Sequence, residues 1–145
     1  MSKENSVQLM HFIFRLWFGY SMMENGKFIF ESSQTGFFLQ WFGTDLHFLH
    51  PLLMYYLAKG SEFFGGLLLF IGLFTRIAAT FISFTMLVAT LTANVHNIYN
   101  GDGAITLSFL LFAVLFILLG PGKWSLSYLF SILKHRFYPL NRKHS

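Results

Sequence analysis

Cysteine is missing from the 145-residue sequence. Its absence excludes disulfides, thiolate metal sites and thiol exchange, and with them the membrane thiol oxidases that work through a cysteine pair. Charge is nearly as scarce: Asp, Glu, Lys and Arg make up 11% of the chain, against about 25% in an ordinary soluble domain. No Gly-rich phosphate loop, nucleophile elbow or H-E-x-x-H pattern is present. A cleavable signal is not expected, because the first apolar stretch carries Arg15, Glu24 and Lys27 and lacks an A-x-A site, so it is read as a retained span. The histidines give no metal or haem centre. His11, His47, His50, His96, His135 and His144 are scattered, and only His11 and His96 fall within apolar spans, near opposite surfaces.

What the sequence does contain is 54% hydrophobic and 20% aromatic residues. That composition marks an integral membrane protein, of a length that suits a single membrane domain over residues 1–145. The net charge of +4 is read as membrane topology, with no nucleic-acid partner. The expected fold is an all-α bundle of four transmembrane helices.

The first span, about 7–30, sets His11, Arg15, Gly19, Met22 and Gly26 on one face and Tyr20, Glu24, Lys27 and Glu31 on another. Gly19 and Gly26 suit the close approach of a neighbouring helix. Residues 32–51 are too broken by Gly, polar residues and Pro51 to span, and read as an aromatic-rich interfacial loop or short helix that can fold over the bundle mouth. Pro51 opens the second span, about 52–74, with Tyr55, Lys59, Glu62 and Gly66 on one face. A tight turn at Thr75 and Arg76 leads to the third span, about 77–99, and the run from Asn100 to Gly103 reads as a turn before the fourth, 104–120. Gly120, Pro121 and Gly122 stop it, and residues 123–140 read as an amphipathic interfacial helix with a basic tip.

Lysine and arginine are distributed unevenly along this plan. Lys3, Arg76, Lys123, Lys134, Arg136, Arg142 and Lys143 fall on one side with Glu4, whereas the two opposite connections carry Glu31, Asp45 and Asp102 and no Lys or Arg. By the positive-inside rule both termini are cytoplasmic.

Counting about 1.5 Å per residue puts Glu24, Lys27, Lys59, Glu62, Asn94 and His96 in the outer half of the bundle, with Arg15 nearer the inner end. An intramembrane charge is expensive, by roughly 2.5 to 3.5 kcal/mol on insertion scales, and by default marks a site. Arg15, Glu24, Lys27, Lys59, Glu62, Asn94 and His96 are therefore the candidate polar cluster, with the Arg15 side chain reaching toward Glu62. The architectural alternative is that Glu24 with Lys27 and Lys59 with Glu62, each three apart on a helix, only neutralise one another. Among active chemistries a quinone head group suits lysine or histidine donors beside a carboxylate that handles protons.

The motifs together resemble the DoxX family of small four-helix bacterial membrane proteins. They comprise Arg15 followed by Gly19, Gly26 and Lys27; then E-x-x-G-G at Glu62, Gly65 and Gly66; then G-L-x-T-R followed by alanines from Gly72 to Ala79; then His96; and G-P-G-x-x-S-L from Gly120 to Leu126. The resemblance covers about residues 12–127, and departs where Ser127 replaces the acid that often ends the closing motif. It implies a bacterial inner-membrane subunit of a redox system, associated with thiosulfate:quinone oxidoreduction, that works with an oxidoreductase partner in the lipid bilayer. A small anion or proton transporter, or a non-catalytic assembly scaffold, are the alternatives the residues leave open.

Overall fold

The computed structural model describes residues 3–31, 35–36, 39–40, 43, 49–92 and 101–137, with the backbone alone for 135–137. Helices are the only regular structure among them. Four are long: α1 (Lys3–Gly26), α2 (Pro51–Ile71), α3 (Thr75–Thr92) and α4 (Gly101–Leu119). A shorter α5 (Leu126–Phe137) follows, and a single 3-10 turn, Lys27–Phe30, extends α1. By length and composition α3 and α4 are long and apolar enough to cross a membrane. The expected interfacial segment of 32–51 lies mostly outside the described residues.

Two boundaries differ from the sequence reading. The turn between α2 and α3 falls at Gly72–Phe74, and Thr75 with Arg76 already opens α3. Gly72 takes a left-handed conformation (φ 74°); its N–H donates to Leu69 O (3.0 Å) and the Leu73 N–H to Leu68 O (2.9 Å). This Schellman pattern satisfies the last carbonyls of α2 and stops the helix at Ile71, three residues short of the Thr75–Arg76 pair. Likewise α4 begins at Gly101, so the expected turn over Gly101–Gly103 is its first helical turn, where Asp102 complements the positive end of the helix.

The helices pack in sequence order, α1 on α2, α2 on α3 and α3 on α4. Small residues set the first of these contacts. A Cβ at Gly26 would lie 2.2 Å from Phe63 N, one at Gly19 would lie 2.7 Å from Phe70 N, and one at Gly66 would lie 2.7 Å from Gly19 O. Backbones this close gain van der Waals contact that lipid cannot supply. Gly65, one residue along, faces α3 instead, with Ile82 against it. The return contact from α4 to α1 is made by rings: Phe14 with Phe112 at 4.8 Å, and Phe18 with Phe116 at 5.6 Å.

The distribution of polarity is inverted relative to a water-soluble bundle. Arg15 and Glu62 are buried, at 2% and 4% exposure, while each long helix turns large apolar side chains outward. Met10 and Ile13 on α1, Leu57 and Phe64 on α2, Phe81 and Phe84 on α3, and Leu111 and Leu118 on α4 are all exposed. A hydrophobic outer face of that extent needs an apolar surrounding.

Candidate functional site

The buried stripe of α2 runs through Tyr55, Glu62, Gly66 and Leu69, at spacings of seven, four and three that keep side chains on one helical face. Lys59 sits one turn before Glu62, and its Nζ lies 2.8 Å from Glu62 Oε2. The Glu62 side chain is 6% exposed and that of Lys59 12%, so the ammonium is the more accessible member of the pair. The Phe28 ring lies 5.9 Å from Lys59 Nζ and offers its negative face to the cation. Tyr55 anchors this wall, because its hydroxyl donates to Phe28 O and ties the 3-10 turn to α2. On the other side of α2, Ser61 Oγ and Thr85 Oγ1 are 2.7 Å apart, a hydrogen bond to α3. The result is a buried ion pair inside an apolar helix, flanked by an aromatic ring and one cross-helix hydroxyl pair.

The other expected members of the cluster behave differently. Glu24 and Lys27 pair with each other at 2.6 Å on the surface, with side chains 46% and 45% exposed. Asn94 and His96 lie outside the described residues.

Arg15 does not extend to Glu62. Its guanidinium turns to the end of the bundle where the Gly72–Phe74 turn and the α4–α5 link meet, donating from Nη1 to Pro121 O and from Nη2 to Trp124 O (2.8 Å). The negative ends of α2 and α4 converge here, which makes the position favourable for a cation. Gly72 leaves the space for it, since a Cβ there would lie 2.7 Å from Arg15 Nη1.

Several contributors carry weak sequence signals or none. Tyr55 shares a face with Lys59, which is a signal, but its acceptor is a main-chain carbonyl and is invisible in sequence. Ser127, where the resemblance expected an acid, donates from Oγ to Gly72 O at 2.9 Å and so docks the start of α5 on the α2–α3 turn. A carboxylate could not make that bond. At the same end Lys123 pairs with Glu4. Their hydrogen bond lowers the Glu4 carboxyl and raises the Lys123 ammonium from their ordinary values.

With this geometry in place, comparison with known families is decisive on kinship. The DoxX family model matches residues 10–95, more than half of the chain. The chain belongs to the DoxX family. The DoxX match takes in Arg15, Glu24, Lys27, Lys59, Glu62 and the Gly65–Gly66 pair, and stops one residue short of His96 and well before the link at 120–126. Together with the apolar helices it places this DoxX protein in a lipid bilayer. No curated protein and no solved structure matches the chain.

Proposed function

We propose that this DoxX protein is a membrane subunit of a redox system and that the Lys59–Glu62 pair is its quinone-facing site. The observation that carries the reading is that pair itself: an ammonium and a carboxyl held 2.8 Å apart with little exposure in an otherwise apolar helix. The chain is a single membrane domain of four spans in the bacterial inner membrane, with both termini cytoplasmic, in keeping with the uneven placement of its lysines and arginines.

The donor set fits a quinone. Lys59, the more accessible partner, meets a carbonyl oxygen arriving from the lipid and donates a hydrogen bond from Nζ. The Phe28 ring beside Lys59 would pack against a flat head group bound there. Glu62 behind Lys59 holds or yields a proton at its carboxyl as the hydrogen-bond demand at the oxygen changes. A bound quinone supplies the chemistry of accepting two electrons with two protons, and the electrons come from an oxidoreductase partner subunit.

The test is titration of a soluble quinone analogue into the purified protein in nanodiscs. Glu62→Gln is expected to weaken binding about ten- to a hundredfold, the loss that follows from removing a hydrogen bond to a charged group, while insertion is unchanged. Equal binding by the wild type and the variant would overturn the site.

A second reading, an assembly scaffold, draws on the closure of the pair: each charge already has its counter-ion, which is what a helix held together by structural charges requires. Under that reading neither protein binds the analogue.

A further inference from the structure

A buried charge with no acid partner among the described residues lies away from Lys59 and Glu62. Arg15 is 2% exposed, and its two hydrogen bonds go to the main-chain carbonyls of Pro121 and Trp124. Its Nε–H has no acceptor among the described residues. Beside it an open groove of about 490 Å³ runs between α1, the end of α2 and α5. Lys123 and Ser125 line it together with Arg15, and so do the apolar side chains of Phe70, Leu129 and Ile132. Trp124 and Tyr128 border the same groove, each roughly half exposed. Basic groups therefore meet an apolar trough at the level where aromatic side chains mark a membrane interface.

We propose that this groove binds one anionic phospholipid. Its phosphodiester would sit between Lys123 and Arg15, giving the buried guanidinium a counter-charge, and one acyl chain would lie along Phe70, Leu129 and Ile132. Charge complementarity selects the anion: Lys3, Arg15, Arg76, Lys123 and Lys134 lie at this end of the bundle against Glu4. The apolar length of the groove selects a lipid over free phosphate, which has nothing to place there. Glu4, which pairs with Lys123, is exposed, so the ammonium can turn from it to a phosphodiester in the groove. The proposal needs only the membrane placement and stands apart from the quinone reading.

Trp124 is the reporter. In a Trp17→Phe, Trp41→Phe background it is the sole tryptophan, and its emission is followed in phosphatidylcholine nanodiscs doped with a minor fraction of brominated phosphatidylglycerol or brominated phosphatidylcholine. The anionic quencher is expected to win by about fivefold or more, in line with the attraction of one basic residue near a charged surface. Lys123→Gln should erase most of that preference, and Arg76→Gln, which removes an equal charge outside the groove, should leave it. Native mass spectrometry of the unaltered protein should show one phosphatidylglycerol retained per chain, and an excess of inorganic phosphate should not displace it. Equal quenching by the two lipids, equal loss in Lys123→Gln and Arg76→Gln, or displacement by phosphate would each overturn the proposal.

Discussion

At the scale of single residues, Glu62 keeps its place in an apolar helix because Lys59 is 2.8 Å away. Removing one member of a buried pair leaves the other uncompensated, at a cost of about 3 to 5 kcal/mol. Lys59→Met alone is therefore expected to lower the thermal midpoint of the detergent-solubilised protein sharply. The Lys59→Met, Glu62→Met double variant should recover most of that loss. At the surface, the Glu4–Lys123 pair has a defined pH window. Glu4 is lowered, so its contribution is present above the ordinary carboxyl value and fades as pH falls through the lowered one. Lys123 is raised, so its contribution is present below the ordinary ammonium value and fades as pH rises through the raised one. The i,i+3 spacing made the Lys59–Glu62 pair legible from sequence. The partners of Arg15 were not legible, because its acceptors are main-chain carbonyls, Pro121 O being 106 residues away, and a carbonyl has no sequence signature.

At the scale of helices, glycine separates positions where backbone must touch backbone from positions where it need not. Gly66→Ala would drive a Cβ to 2.7 Å from Gly19 O and should destabilise by about 1 to 3 kcal/mol, as overpacking does. Among the described residues Gly60→Ala meets Ile29 Cδ1 alone, at 3.6 Å, and should stabilise α2 by roughly 0.5 to 1 kcal/mol. Thermal unfolding of the two variants, run side by side, checks the sign of each. Gly19 and Gly26 were readable as a close-approach face because they share one side of a 3.6-residue repeat. The start of α3 was harder to place: Thr75 and Arg76 look like a polar break, yet Gly72 is the residue that can turn left-handed, and the chain stops there first. The same confusion moved the start of α4, where glycines beside Asp102 suggested a turn and the helix opened through them.

At the scale of the whole molecule, buried charge and exposed hydrocarbon together define a protein built for lipid, and the absence of native cysteine makes its topology easy to probe. Single cysteines replacing Lys3, Arg76 or Lys134 should be labelled only from the cytoplasmic face, and those replacing Glu31 or Asp102 only from the opposite face, by an impermeant maleimide. Labelling of Arg76 and Asp102 positions from the same side would contradict the four-span arrangement. The membrane class was legible from composition, and the family from ordered motifs. Within the expected polar cluster, counting depth along helices groups residues by level and cannot say that Glu24 and Lys27 pair with each other at the surface, each nearly half exposed. Whether Lys59 and Glu62 serve a ligand or only each other is decided most directly by the quinone affinity of the Lys59→Met, Glu62→Met double variant in nanodiscs. A folded, inserted protein that no longer binds the analogue bound by the wild type is the expected result. A folded double variant that binds it as the wild type does would contradict the assignment of the site.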